Sequence, residues 1–249
     1  TGTKIAFVRD NNIFIADLRF GSEIQITSDG KFNEIINGAP DWVYEEEFGF
    51  NKAFEWAPDG SALAFIKFDE SAVKTYHMNM FKGLYPAYEQ NALYPSNYSY
   101  KYPKAGEANS KVSVHVYDIK DRVTTPMNIG EETDIYIPRI QWTKDPKKLA
   151  IMKMNRFQNR LEILQANARV GSTTVLYREE NKYYIAEENL DNLTFTEDGQ
   201  YFIMSSEKNG YSHLYLYSMS GKEIQPITSG KYDVVNFYGY DPAKKLYYY

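Results

Sequence analysis

Short runs of alternating apolar and polar residues recur along the whole chain, and turn residues separate them. The clearest runs are residues 13–18, 112–117 and 214–219. A period of two predicts half-buried β-strands, and the aromatic and β-branched residues in these runs favour the same conformation. Helical periodicity is weak. Residues 159–169 have a helix-forming composition, but they partly alternate and a clear strand pattern follows at 173–177, so we predict a strand there as well.

One unit, an aromatic residue followed by a turn and an apolar strand, occurs four times. Its copies begin at Trp56, Trp142, Phe195 and Tyr240. Each turn contains Asp-Gly or Asp-Pro, which favour tight turns because Gly accepts positive φ and Pro presets φ. The last two intervals between copies suit the ~40–50 residues of a propeller blade, and the first is longer by roughly one hairpin. We therefore predict an all-β chain, a β-propeller fragment of about four blades that forms one partial domain over residues 1–249.

The extra residues of the first interval fall at about 73–100, where periodicity is low and tyrosine is frequent. We predict that this segment is an extended arm that leaves its blade. Tyr and Met are enriched in the cores of protein interfaces, so the arm is a candidate contact with a second copy of the chain. The alternative is that the arm folds back over its own blade. The residues concerned are Tyr76, Met78, Met80, Tyr85, Tyr88, Tyr94, Tyr98 and Tyr100.

Composition excludes several classes of protein. With 28 Lys and Arg against 33 Asp and Glu, the formal net charge is −5, and no basic excess exists for a nucleic-acid backbone. The chain has no Cys, which excludes a disulfide framework, a thiol nucleophile and a Cys-ligated metal. No stretch approaches the ~18 consecutive apolar residues of a membrane span. Both ends lie within apparent strands, so we expect the chain to be a piece of a longer protein.

The sequence holds no recognisable catalytic or metal-binding motif. It has no Gly-x-Ser-x-Gly elbow, no His-Glu-x-x-His, no EF-hand loop and no phosphate-binding glycine loop. The three histidines, His77, His115 and His213, are scattered, and we predict structural roles for them. We therefore assign no catalytic residue, no metal ligand and no cofactor to this chain.

One acidic segment stands out, because Glu45, Glu46 and Glu47 are consecutive and aromatic residues flank them. The flanking residues are Trp42, Tyr44, Phe48 and Phe50. These rings should anchor the segment to the core and hold the carboxylates in place, as a buried acidic pair. Such a pair could receive a primary ammonium, hold Ca²⁺ or act as a general acid and base. A solvated acidic turn is the fourth interpretation, and physical chemistry alone does not choose among them.

The segment 41–47 resembles the double-Glu motif of the dipeptidyl peptidase IV family of prolyl-oligopeptidase-like serine peptidases. Residues 56–60, 102–106 and 206–215 match that family in the same order, so the resemblance covers essentially the whole chain. It implies the N-terminal part of an eight-bladed propeller that caps an α/β-hydrolase domain. The catalytic Ser, Asp and His would lie in that domain, which is absent from this chain. The lack of Cys resembles the bacterial branch of the family.

The resemblance also implies a site and a substrate. The last two positions of the glutamate triplet match the motif, so Glu46 and Glu47 would bind the free N-terminus of a peptide, and Glu45 is the less favoured participant. The intact enzyme would release X-Pro or X-Ala dipeptides. By the same resemblance the protein would be a homodimer joined through the arm, in the periplasm or cell envelope. The sequence departs from the family near 183–188, where relatives usually carry a Trp, so we assign no pocket-wall residue there.

Two rival functions remain at this point. A propeller can be a non-catalytic scaffold that binds protein partners, since one fold hosts many functions. A propeller glycosidase could use two of the three glutamates, but it needs carboxyl groups roughly 5–9 Å apart across a cleft. Adjacent glutamates supply that separation only in specific rotamers, so the glycosidase is the weaker rival.

Overall fold

The computed structural model describes residues 2–83 and 86–249, and at 86–88 it describes the backbone alone. The first half of the chain forms β1 (Lys4–Arg9), β2 (Asn12–Asp17), β3 (Ser22–Gln25), β4 (Ile35–Asn37), α1 (Trp42–Glu47), β5 (Phe54–Trp56), β6 (Ala62–Asp69), β7 (Thr75–Met80), β8 (Ser96–Lys101), β9 (Lys111–Asp118) and β10 (Thr124–Pro126). The second half forms β11 (Ile135–Trp142), β12 (Lys148–Asn155), β13 (Arg160–Asn167), β14 (Thr173–Glu180), β15 (Thr194–Phe195), β16 (Tyr201–Ser206), β17 (His213–Ser218), β18 (Glu223–Pro226), β19 (Gly239–Asp241) and β20 (Leu246–Tyr248). Short 3₁₀ helices span Pro86–Asn91 and Glu187–Asn192.

The strands form successive antiparallel sheets, which confirms the all-β propeller fragment. The order is β1-β2-β3, then β10-β9-β6-β4 with β5 also on β6, then β11-β12-β13-β14, then β15-β16-β17-β18, then β19-β20. Apart from the second sheet, each sheet is a meander of strands that are neighbours in sequence, as in propeller blades. The sheets do not close into a ring within the described residues. The strand predicted over 159–169 is confirmed as β13.

The repeated aromatic unit has one structural role. Trp56 and Trp142 end the first strands β5 and β11, Phe195 ends β15, and Tyr240 lies in β19. The residue after each of the first three aromatics donates its main-chain N–H across the turn to the carbonyl of the first residue of the second strand. The pairs are Ala57 to Ala62 at 2.9 Å, Thr143 to Lys148 at 3.1 Å and Thr196 to Tyr201 at 3.0 Å. This shared geometry explains why the pattern recurs. It confirms the repeat as a strand–turn–strand corner.

The sheets pack face to face around one large apolar cluster that draws on the second, third and fourth sheets. The indole N–H of Trp142 donates to the main-chain oxygen of Glu55 at 3.0 Å and so joins the first strands of two sheets. Gly171 shows how closely the sheets approach. It has φ +75°, and a Cβ there would lie 2.1 Å from the carbonyl oxygen of Pro126 in the preceding sheet.

The second sheet differs from the others at two places, and both bear on function. Its first strand is split, because β4 pairs with one half of β6 and β5 pairs with the other half. The intervening excursion carries α1. Between β6 and β9 the hairpin β7–β8 projects as the predicted arm, with Thr75 opposite Lys101 and Met80 opposite Ser96.

The arm hairpin leaves several apolar side chains exposed, among them Tyr76, Met78, Phe81, Leu93, Tyr94 and Tyr98. Tyr85 and the side chain of Tyr88, which we also assigned to the arm, lie outside the described residues. The base of the arm touches its own chain, since the side-chain amide of Asn33 donates to the Ser99 carbonyl at 3.1 Å. Within the described ranges, no helix is long and apolar enough to cross a membrane.

Candidate functional site

The glutamate triplet lies on α1, a helix of six residues inserted into the split first strand of the second sheet. Asp41 is its N-cap, and the carboxylate accepts the Tyr44 amide at 3.0 Å. Ser, Thr, Asp and Asn are preferred at this position because their side chains satisfy an amide that has no partner within the helix. A helix this short is not stable by itself. Its position therefore depends on tertiary contacts.

Tyr44 supplies the main anchor of α1. It is 1% exposed, and its hydroxyl oxygen accepts the main-chain N–H of Ile137 at 2.9 Å, in the first strand of the next sheet. Its ring lies 4.8 Å from Phe68, 5.3 Å from Phe48 and 6.0 Å from Tyr136, centroid to centroid. The predicted aromatic anchoring of this segment is confirmed.

The prediction that the acidic pair is buried is wrong, because Glu45, Glu46 and Glu47 are all exposed. Tyr44 and Phe48, four residues apart, share the buried face of the turn. The three residues between them must then point away from the core. None of their side chains forms a hydrogen bond or ion pair with a residue that the structure describes. The backbone is fixed while the carboxylates stay free.

The structure adds a neighbour that the sequence analysis left unassigned. Glu187 and Glu188 begin the 3₁₀ helix that precedes β15. Partial burial raises the pKa of Glu187, and the negative charges of Glu188 and Glu47 raise it further. The pKa of Tyr184 is also raised, first by burial and then by charges that include Glu47. Glu47 therefore faces the segment 184–188. The adjacent glutamates Glu187 and Glu188 were the feature of the sequence from which this neighbour could have been recognised.

The positively charged side chain of Arg139 lies near these glutamates. Arg139 donates to the Asp191 carboxylate at 2.7 Å, and its charge lowers the pKa of Glu187. Its guanidinium also lies 5.5 Å from the centroid of the Phe50 ring. An open cleft of about 300 Å³ runs beside α1, between residues 49–55 and residues 138–140. Across the described ranges, no group of three or more His, Cys, Asp or Glu side chains could hold a metal ion.

The histidines lie apart from this site. His213 is 3% exposed and its ring nitrogens contact the Thr228 hydroxyl and the Gly230 carbonyl, both at 3.1 Å. His115 stacks on Phe65 at 5.3 Å, and burial lowers its pKa to about 4. Both are packed in the sheets, as expected for structural residues. His77 lies on the exposed arm.

Comparison with known proteins gives the same assignment over the whole chain. Residues 1–249 match the family described as "Dipeptidyl peptidase IV (DPP IV) N-terminal region". The "Probable dipeptidyl peptidase 4" of Aspergillus fumigatus is 30% identical over 263 residues, which covers 100% of this chain and 33% of that protein. The "Dipeptidyl peptidase 4" of Trichophyton tonsurans is 32% identical over 256 residues, covering 99% of this chain and 32% of that protein.

Two solved structures extend the comparison to the fold. The crystal structure of Porphyromonas gingivalis dipeptidyl peptidase 4 superposes with a TM-score of 0.89 at 43% identity, covering 97% of this chain and 33% of that one. A putative dipeptidyl aminopeptidase IV from Bacteroides ovatus gives a TM-score of 0.68 at 25% identity, covering 88% of this chain and 34% of that one. The chain spans about a third of the length of the curated relatives it matches.

Proposed function

Because the chain belongs to the dipeptidyl peptidase IV N-terminal region family, we propose that it is the substrate-recognising propeller portion of a serine dipeptidyl peptidase. Glu46 and Glu47 bind the free α-ammonium of a peptide. One observation carries the proposal: two adjacent carboxylates have no partner among the described residues, yet their helix is fixed by buried aromatic side chains. A fixed backbone whose carboxylates accept no hydrogen bond from the described residues is suited to receiving a cation.

The chemistry of the ligand follows from that of the receptor. A primary ammonium has three N–H donors and one positive charge, and two carboxylates supply several acceptors and the opposite charge. An acetylated N-terminus keeps a single amide N–H and loses the charge. The site therefore distinguishes free from blocked N-termini. This distinction defines an exopeptidase.

The position of the ammonium fixes where the peptide is cut. If it is held at Glu46 and Glu47, two residues extend from the site before the scissile bond reaches a nucleophile. Holding the substrate at both ends supplies the proximity and orientation that acyl transfer needs. The whole protein would then release X-Pro or X-Ala dipeptides. We propose that its nucleophile and catalytic base lie outside this chain, in an α/β-hydrolase domain.

Two further features of the whole protein belong to the same proposal. The exposed aromatic and Met side chains of the arm suit packing against a second copy, which would make the protein a two-fold homodimer. The periplasm or cell envelope is its location, where peptides with free N-termini would be its substrates.

The test is a charge-removal series in the full-length protein. Glu46→Gln and Glu47→Gln each keep the size of the side chain and remove one charge-assisted contact. The loss of roughly 1.5–3 kcal/mol per contact corresponds to a decrease in kcat/KM of about one to two decades on a Gly-Pro-arylamide. Glu45→Gln is the matched control on the same helix and should change little.

The blocked substrate decides the outcome. Both variants and the parent should hydrolyse N-acetyl-Gly-Pro-arylamide equally poorly, since that substrate has no ammonium to lose. If each variant lost the same factor on the free and the acetylated substrate, the carboxylates would not be the amine receptor.

A further inference from the structure

We propose that the arm positions the glutamate helix. Residues 102–110, which lead from the arm back to β9, are the return leg of the arm. Asp41 and Trp42 are positioning residues through which this return leg determines the positions of Glu46 and Glu47. The inference rests on the proposed function, because it concerns the placement of the ammonium receptor. It goes beyond that function by making recognition depend on the state of the arm.

Asp41 links the two elements by hydrogen bonds. One carboxylate oxygen accepts the Tyr44 amide and caps α1, and the other accepts the hydroxyl of Ser110 at 2.5 Å. Ser110 is the last residue of the return leg before β9. Both side chains are buried, at 6% and 3% exposure. Asp41 forms no ion pair within the described residues. The contact is therefore enclosed, and the same carboxylate serves the helix and the arm.

Trp42 links the same two elements by packing. Its ring lies 4.1 Å from that of Tyr102, centroid to centroid. Tyr102 in turn lies 5.5 Å from Tyr76 and 6.1 Å from Tyr100, which belong to the two strands of the arm hairpin. A continuous row of aromatic rings thus runs from the first residue of the helix into the arm.

The first turn of α1 is held from two sides. Tyr44 fixes it to the next sheet through the amide of Ile137, and Asp41 and Trp42 fix it to the arm. A six-residue helix contributes little stability of its own, so its orientation follows these contacts. A displacement of the return leg moves the N-cap, and the carboxylates one turn later move with it. Packed side chains transmit such shifts because they cannot be compressed.

The consequence is reciprocal coupling between the arm and the amine receptor. Whatever packs on the exposed face of the arm changes the affinity for the ammonium, and the ammonium changes the affinity of the arm for its contact by the same factor. The exposed rings Tyr76 and Tyr98 are 40% and 49% accessible. The ring of Tyr76 packs directly beside that of Tyr102, and the ring of Tyr98 packs directly beside that of Tyr100.

The experiment cuts the link while leaving the helix cap and the carboxylates intact. In the full-length protein, Ser110→Ala removes the hydroxyl from Asp41, and Tyr102→Leu removes the ring from Trp42. Each should raise KM for Gly-Pro-arylamide by about fivefold or more with kcat little changed. Neither should alter turnover of the N-acetylated substrate. Ser110→Thr keeps the hydroxyl and should restore the parent KM.

The control variant lies in the same leg. Glu107→Gln breaks the surface ion pair with Lys74 without touching α1, and its KM should equal that of the parent. A second measurement follows the helix directly: hydrogen exchange of the amides at 44–48 should be faster in Ser110→Ala and unchanged in Glu107→Gln.

The two readouts separate the inference from the function on which it rests. Unchanged KM and unchanged exchange in both link variants would overturn the positioning role. If exchange rises in Ser110→Ala but Glu46→Gln and Glu47→Gln leave the preference for a free N-terminus intact, the positioning role stands and the amine-receptor function fails.

Discussion

Replacing Glu70 with Gln should stabilise the protein at neutral and alkaline pH and change its stability little at pH 4. Glu70 lies just after β6, where the chain leaves for the arm, and is 6% exposed. Burial raises its pKa to about 7, and the nearby negative charge of Asp41 acts in the same direction. The charge of Lys101 opposes the shift, but its ammonium donates to the carbonyls of Ser71 and Val73 instead.

The sign follows from where each state holds the proton. The unfolded chain releases the Glu70 proton near the ordinary value of 4.5, whereas the folded chain keeps it to about 7. The contribution of this group is therefore most favourable below pH 4.5, falls as pH rises between these values, and is constant above pH 7. The difference corresponds to a loss of about 3 kcal/mol. Gln keeps an acceptor and does not titrate, so it avoids this loss.

Urea unfolding at pH 4, 6 and 8 measures the effect. Glu70→Gln should unfold with nearly the parental free energy at pH 4 and should be more stable than the parent by up to about 3 kcal/mol at pH 8. Glu34→Gln, which removes an exposed ion pair with Lys31, is the control and should run parallel to the parent. A Glu70→Gln difference of the same size at pH 4 and pH 8 would refute the argument.

Three other experiments test the fold, the arm and the proposal that the nucleophile lies outside this chain. Gly171→Ala should cost well over 2 kcal/mol, because it adds a clash with the Pro126 carbonyl to an unfavourable φ, whereas Gly199→Ala, with φ +66° and nothing within 4 Å, should show only the ~1–2 kcal/mol backbone cost in denaturant melts. Replacing residues 74–98 with a short Gly-Ser linker in the full-length protein should convert the proposed dimer to a monomer in sedimentation, and an unchanged dissociation constant would contradict the proposed interface. Purified chain should hydrolyse no Gly-Pro-arylamide, and stoichiometric labelling by a fluorophosphonate would show a nucleophile within it.

Much of the fold follows from local sequence. Propeller sheets pair strands that are adjacent in sequence, so alternation and turn residues nearly determine the topology. The corners at Trp56, Trp142 and Phe195 were recognisable for this reason, and β13 was separable from a helix by its alternation. The surplus of the first interval likewise indicated an arm. The glutamate segment could be identified as the candidate site from its acidic run, its aromatic flanks and its resemblance to a known motif.

The tertiary structure decided what depends on residues far apart in sequence. The exposure of Glu46 and Glu47 follows from which face of a six-residue helix Tyr44 occupies, and that face is set by Ile137 in another sheet. Asp41 meets Ser110 across 69 positions, and the charge of Glu47 reaches Glu187 because the fold brings α1 near the 3₁₀ helix that precedes the fourth sheet. Local periodicity reports which face of an element is buried. It carries no information about which distant element provides the partner, because packing between sheets sets that choice.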